Sequence, residues 1–353
     1  MNFTCIDSFC GGGGLALGLE KAGFDILYSF DNDKNCIDTM HINPTYFSHV
    51  AECVSIENFI ADDPLKKLNL KRGELFLLAG GPPCQGFSIQ LIGKDTDKRN
   101  KLVTAYGNLL KILYPKYFLM ENVPGITGKR GSYYLSHIIA KAEKMGYKIH
   151  EQILNAQYYD VPQRRKRMIL VGERLDVGNP NFTYPAPSEK KTTVRDTISF
   201  LPEPPGDGSC HPDFSLHRRD KLSEKNIRRL SALKEGEGRD SLPPELLADC
   251  HKVSSSKIGH RNVYGRMKWD DVAPTVTARF DSFTRGMFGH PEQTRSISLR
   301  EGALLQTFPL DFNFSGTKVS VAKQIGNAVP VNFACALARQ IIKCYMKKTE
   351  GKE

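Results

Sequence analysis

Thr4-Cys5-Ile6-Asp7-Ser8-Phe9-Cys10-Gly11-Gly12-Gly13-Gly14-Leu15-Ala16-Leu17-Gly18-Leu19-Glu20-Lys21-Ala22-Gly23 is the stretch on which the fold turns. A short apolar segment, residues 3–9, runs straight into four glycines. Residues 15–22 then have helical composition and stop at Gly23. Strand, glycine turn and helix in that order open a doubly wound α/β sheet. A second strand over residues 25–30 ends in Asp31-Asn32-Asp33. Further apolar runs at 75–79, 117–120 and 167–171 read as strands, with helical stretches at 102–113 and 134–145 between them. This alternation predicts a mostly parallel sheet over residues 1–172.

After Gly172 the texture changes. Residues 174–270 are rich in proline, glycine, serine and charge, and Pro180, Pro185, Pro187, Pro202, Pro204, Pro205, Pro243 and Pro244 break any long element. The expected organisation is a first domain of residues 1–173, completed by 318–353. A smaller, irregular domain spans 174–317 and carries long functional loops. A last helix over 331–346, apolar at helical spacing, returns to the first sheet. No internal repeat is visible.

With 40% hydrophobic and 25% charged residues, the composition is that of an ordinary globular chain. No apolar stretch approaches the roughly 20 residues needed to span a bilayer. The N-terminus lacks the basic and apolar regions of a signal peptide. Nine irregularly spaced cysteines fit reduced thiols in a cytoplasmic protein better than a disulfide framework. The net charge of +10 suits a polyanionic partner. Residues 1–92 hold 6 Lys/Arg against 11 Asp/Glu, whereas residues 93–172 hold 15 against 6. The basic field therefore begins just after residue 92, where a nucleic-acid backbone would lie if the preceding loop works on a base. A solvated basic face is the competing account.

That preceding loop is Gly80-Gly81-Pro82-Pro83-Cys84-Gln85-Gly86-Phe87-Ser88, which follows the strand at 75–79. Two prolines fix its shape and three glycines allow backbone or ligand to approach closely. A core cysteine needs no such loop, so Cys84 reads as a reactive thiol. Gly11-x-Gly13-x-x-Ala16, with Asp31 about 20 residues on, matches the dinucleotide fingerprint, which by itself does not choose among adenosine-containing cofactors. Glu121 ends the strand at 117–120 and stands at the ligand-binding edge of the sheet, or else caps a turn. In Gln163-Arg164-Arg165-Lys166-Arg167, alternation puts Gln163, Arg165 and Arg167 on one side. That row faces a pocket or forms a solvated edge.

Together with Gln324-Ile325-Gly326-Asn327-Ala328-Val329-Pro330, these segments resemble the DNA (cytosine-5)-methyltransferases of the compact bacterial restriction-modification type. Further matching segments are Asp7 to Gly14, Asp97-Lys98-Arg99-Asn100 with Leu102, Glu121-Asn122-Val123, His290-Pro291-Glu292-Gln293 and Arg300 to Pro309. The resemblance covers nearly the whole chain except the middle of the second domain. It implies a Rossmann-like methyltransferase fold with a target-recognition domain, and transfer of a methyl group to C5 of a flipped-out cytosine in duplex DNA. The chemistry explains the residue types. C5 is a poor nucleophile until a thiolate adds at C6, the role implied for Cys84. Glu121 is implied to contact N3 and N4 of the base. Arg165 and Arg167 are implied to hold the base oxygen, the acid and nearby phosphate.

The implied cofactor is S-adenosylmethionine. Phe9, Gly11 and Gly13 would line its methionine and adenine side, Asp31 would take the ribose hydroxyls and Glu52 the adenine amino group. Pro83, Leu102, Asn327 and Ala328 would complete the pocket. The family usually has Glu where Asp31 stands and Asp where Glu52 stands. The implied partners are duplex DNA and a separately encoded restriction endonuclease, with the chain acting as a monomer and away from membranes. Residues 88–102 resemble the mobile loop that closes over DNA. Cys210-His211 and Cys250-His251 form a poor metal site, because adjacent side chains on an extended chain point apart, and no metal is expected. An NAD-dependent oxidoreductase leaves Cys84 and Glu121 unemployed. The transfer-RNA branch of the family is marked by a Cys-Phe-Thr tripeptide absent here, and intact Cys84 and Glu121 argue against a dead DNA-binding regulator.

Overall fold

In the computed structural model, which describes residues 2–83, 101–129, 131–249 and 263–350, β1 (Thr4–Ser8) leads through the glycine turn into α1 (Gly14–Ala22). Next come β2 (Asp25–Asp31), α2 (Lys34–His41), β3 (Val50–Cys53), α3 (Ile56–Ala61), α4 (Pro64–Lys67) and β4 (Leu77–Gly80). They are followed by α5 (Lys101–Leu113), β5 (Tyr117–Asn122), α6 (Ser132–Lys144), β6 (Tyr147–Asn155) and β7 (Lys166–Arg174). Further along are α7 (Val194–Ile198), β8 (Cys210–His211), β9 (Phe214–Arg218), α8 (Glu224–Ser231), α9 (Leu299–Leu305), α10 (Lys318–Asn327) and α11 (Val331–Glu350).

Seven strands form one sheet in the order β3-β2-β1-β4-β5-β7-β6. β1 to β5 are parallel, as the strand–helix alternation predicts. β7 runs antiparallel to both β5 and β6, so the sheet is mixed. The reason is connectivity. Parallel neighbours need a long crossover, whereas β6 reaches β7 without an intervening α-helix. β3 and β6 carried no clear signal in the sequence because both are edge strands with exposed positions, Glu151 and Gln152 among them.

The chain divides into two compact units, Met1–Tyr159 with Lys166–Pro187 and Val329–Glu353, and Asp160–Arg165 with Ser188–Ala328. These bounds differ from the expected breaks at 173/174 and 317/318, and local bonding supplies the reason. Residues beyond β7 stay with the sheet because the Asn181 and Phe182 amides donate to Glu173, and the Tyr184 hydroxyl lies 2.8 Å from carbonyls of both β6 and β7. α10 belongs to the second unit, where Gly326 packs directly on the Thr277 backbone.

In the first unit Ile6, Leu78, Phe118, Met120, Met168 and Leu170 form one sheet face, covered by Tyr106, Leu109, Leu110 and Ile138 of α5 and α6. On the other side α1 meets α11 so closely that a Cβ on Gly18 would lie 2.4 Å from that of Ala334. The second unit has little regular structure, with one two-stranded ribbon, β8–β9, among its described residues. Its loops are held by arginines instead. Arg266 donates to the carbonyls of Leu230, Leu233, His290 and Gln293. Arg295 makes a bidentate pair with Glu301 at 2.7 Å, where both side chains are buried. Arg229, Arg239 and Arg300 are buried as well. Part of the net positive charge is thus internal bracing. Among the described residues no helix is long and apolar enough to cross a membrane.

Glu173 closes the far end of the sheet. It is fully buried and accepts from the Tyr117 hydroxyl, His150, the Asn181 and Phe182 amides and Lys348 of α11. Burial alone would raise its pKa, but the bonds from His150 and Lys348 and the Phe182 amide outweigh it and bring the carboxyl from 4.5 down to about 2. Its stabilisation is therefore complete above the unfolded carboxylate pKa and is lost as pH falls from about 4.5 toward 2. Glu173→Gln is expected to cost about 3 kcal/mol at neutral pH, by stranding Lys348. It should also flatten the loss of stability across that acid window, as read by urea denaturation at a series of pH values.

Candidate active site

The glycine turn after β1 is built for close approach. Phe9 and Gly11 adopt φ of 58° and 53°, and Gly13 86°. A left-handed phenylalanine is strained, and such backbone collects where ligands bind. A Cβ on Gly11 would meet nothing within 4 Å, so space lies open beside the turn. A Cβ on Gly13 would lie 2.5 Å from Cζ of Phe47, whose ring packs against it. The Gly11 amide donates to Asp31 Oδ2 at 3.0 Å, and the Asp33 amide to Oδ1 at 2.9 Å. Asp31 is thereby oriented at the carboxyl end of β2.

Asp7, for which the motifs suggested no role of its own, is fully buried near the end of β1. Neither of its carboxylate oxygens makes a well-formed hydrogen bond; the Ala16 amide at the start of α1 lends weak support. Burial, and then the neighbouring Asp31 carboxylate, hold its pKa well above the usual range. Glu52 in β3 accepts from the Tyr28 hydroxyl and pairs with Lys67 Nζ at 2.6 Å. The aromatic rings of Tyr28, Phe30 and Phe59 stack beside these acids, with Phe30 and Phe59 centroids 4.5 Å apart.

At the carboxyl ends of β4 and β5 lies a second group. Arg167 Nε stands 2.7 Å from Glu121 Oε1, and both side chains are only 12% exposed. The antiparallel register, which sets Glu121 opposite Ile169 and Asn122 opposite Met168, brings Arg167 to the acid. A Cβ on Gly81 would stand 3.4 Å from Glu121 Oε2. The Asn122 side-chain amide donates to the Pro82 carbonyl at 3.0 Å and fixes the chain as it leaves the sheet toward Pro83. Tyr106, which no motif singled out, holds its hydroxyl 3.0 and 3.1 Å from the carbonyls of Leu78 and Leu119, bracing β4 against β5. Cys84 lies outside the described residues, as do residues 85–100 and the Cys250-His251 pair. Pro83 and Leu102 are half-buried.

Arg165 is placed differently from Arg167. Its guanidinium is buried in the second unit and donates to the carbonyls of Val276, Gly326 and Ala328 at 2.9–3.0 Å. Gln163 is buried there too, bonded to Gln306, the Leu305 carbonyl and the Val276 amide. Arg164 and Lys166 are exposed, in keeping with the alternation. Asn327 is exposed at the end of α10, and Ala328 gives its carbonyl to Arg165.

The model of the C-5 cytosine-specific DNA methylases matches residues 3–343. The chain belongs to that family. It is a DNA (cytosine-5)-methyltransferase, and the methylase is 36% identical to Type II methylase M.HgiDII of Herpetosiphon aurantiacus, over 98% of this chain and 96% of that protein. It is 33% identical to Type II methyltransferase M1.HphI of Haemophilus parahaemolyticus, over 97% and 87%. Its fold is similar to that of a prophage-encoded DNA modification methyltransferase from E. coli, with a TM-score of 0.75 at 24% identity, covering 97% of this chain and 99% of that one. In the methylase the buried Arg165 and the Glu121-paired Arg167 should separate experimentally. Arg165→Met is expected to lower stability by about 3 kcal/mol, because the buried Val276 and Gly326 carbonyls lose their donor. Arg167→Lys should leave the melting temperature near wild type while reducing kcat/KM about a hundredfold. Calorimetry and tritiated-methyl transfer to plasmid DNA measure the two effects.

Proposed function

We propose that this methylase moves a methyl group from S-adenosylmethionine to C5 of a cytosine turned out of a specific duplex sequence, through a transient bond between Cys84 and C6. The observation that carries the reading is the Glu121–Arg167 pair beside Gly81, on the short segment that leads to Cys84. An acid paired with a guanidinium suits a pyrimidine whose ring must gain and lose charge at N3 and O2.

The residues present fit the cofactor. Two carboxylates, Asp31 and Glu52, stand at the ends of β2 and β3, and open space adjoins Gly11. That donor set suits a ligand with a ribose diol, amino groups and a sulfonium cation. Within the first unit Phe9, Gly11, Gly13, Asp31, Glu52, Pro83 and Leu102 would hold it; Asn327 and Ala328 are carried by family likeness alone. The Lys67 partner of Glu52 competes for that carboxylate, so Asp31 is the stronger anchor. S-adenosylmethionine supplies the electrophilic methyl group.

Cys84 adds as thiolate to C6, and the electron pair displaced toward N3 is met by a proton that reaches N3 through Glu121. Arg167 keeps Glu121 oriented and offers its remaining N–H groups to the base oxygen. C5 thereby becomes nucleophilic and takes the methyl group. The C5 proton then passes to solvent as the thiolate leaves C6, and N3 gives its proton back to Glu121, which restores the ring and the enzyme. Arg165 acts as a brace for the segment before β7. Turning the base out of the stack costs a few kcal/mol, and loops of the second unit would read the flanking sequence in the major groove. Because relatives are named Type II methylases, a separately encoded endonuclease of the same specificity is proposed as its functional partner, in a cytoplasmic setting and with the chain acting as a monomer.

Cys84→Ser is expected to abolish methyl transfer while leaving cofactor and duplex binding within about twofold of wild type. Only the unsubstituted protein should become covalently attached to 5-fluorocytosine duplexes, as seen on denaturing gels; attachment of the serine variant would remove the thiol from the reaction. Asp31→Asn should weaken S-adenosylmethionine binding about tenfold to a hundredfold, through loss of charge-assisted hydrogen bonds. Isothermal titration calorimetry measures that change without requiring turnover.

A further inference from the structure

Between α5 and α6 the first unit carries a groove of about 700 Å³ that methyl transfer leaves unused. Its floor is apolar, formed by Val103 and Ile138, both buried. Tyr133, His137, Lys141 and Lys144 line it from one face of α6, at helical spacings of four, four and three. The rings of Tyr133 and His137 lie 4.1 Å apart, and Tyr133 is 61% exposed. Among the described residues no carboxylate lines it. Lys141 Nζ donates to Asn108 Oδ1 at 2.5 Å, and burial and then Lys111 lower its pKa.

Gly107 supplies an independent observation. It lies in the interior of the 13-residue α5, where glycine costs roughly 0.5–1 kcal/mol relative to alanine. Packing does not require it. A Cβ there would make only ordinary contacts, 3.6 Å from Ile138 Cγ1 and Lys141 Cδ. What a methyl group at that position would do is fill the groove floor between those two side chains.

We propose that the α5–α6 groove binds a single-stranded stretch of DNA, with bases on Tyr133 and the apolar floor and phosphates on Lys141 and Lys144. Basic grooves with an aromatic platform recognise unpaired strands, because only unstacked bases present apolar faces. A duplex turns its phosphates outward and leaves such a floor uncovered. From Tyr133 to Lys144 the helix rises about 16 Å, room for a few nucleotides. The proposal rests on the family's DNA substrate and not on the roles given to Cys84 or Asp31.

The test is fluorescence anisotropy of a labelled oligothymidylate of about a dozen nucleotides with the full-length protein. Binding is expected to persist when unlabelled duplex saturates the enzyme. Tyr133→Ala should weaken it about fivefold or more, and Tyr133→Phe should restore it. Replacing both Lys141 and Lys144 by Gln should lower the slope of log affinity against log salt by about 1.4. Gly107→Ala should weaken binding while raising the melting temperature. Methyl transfer to duplex DNA should be unchanged in all these variants, so a failure here is separable from a failure of the catalytic reading. Complete displacement by duplex, or equal affinities in wild type and Tyr133→Ala, would overturn the proposal.

Discussion

The antiparallel pairing of β7 against β5 is the constraint from which the site follows. In a wholly parallel sheet the strand beside β5 would present its carboxyl end next to Glu121. Reversed, β7 presents its amino end instead, so Arg167 arrives beside the acid at 2.7 Å. Residues 163–165, just before the strand, belong to the second unit, where Gln163 and Arg165 are buried. One short basic segment thus serves two ends, a charge partner for a site acid and an anchor for loops.

Those loops expose a second physical theme. A proline-rich segment with little sheet or helix leaves many carbonyls without ladder partners, and buried carbonyls must find donors. Arginine, with five N–H groups in a planar fork, can satisfy several at once. Arg266 reaches four carbonyls and Arg165 three. The pair of Arg295 with Glu301 ties the start of α9 to the preceding loop, and the Ser298–Glu301 capping box fixes that start. A basic composition therefore has two meanings in this protein. Some of the charge faces solvent, where an anionic partner can meet it, and some holds the interior together.

At the site, orientation comes from second partners that a motif does not name. Asp31 is held by two backbone amides, the Pro82 carbonyl by Asn122, and the ends of β4 and β5 by Tyr106. Such bonds cost little to maintain in a packed interior, yet they decide which lone pairs remain for a ligand. Glu52 illustrates the opposite case, since Lys67 already occupies its carboxylate.

The strand–glycine turn–helix opening, the alternation that followed it and the acids closing β2 and β5 were legible in the residues. They depend on local rules: apolar period, the freedom of glycine and the length of a buried strand. The family likeness rested on the same short, ordered segments. Edge strands β3 and β6 were not legible, because exposure removes the apolar signal. Nor could the direction of β7 be read, since its composition is the same either way and only the β6–β7 connection reverses it. The different fates of Arg165 and Arg167, two residues apart in one motif, were beyond any local rule. Side-chain alternation put both on one side, but which carbonyls or carboxylates waited there depended on segments more than a hundred residues away for Arg165 and on the strand register for Arg167.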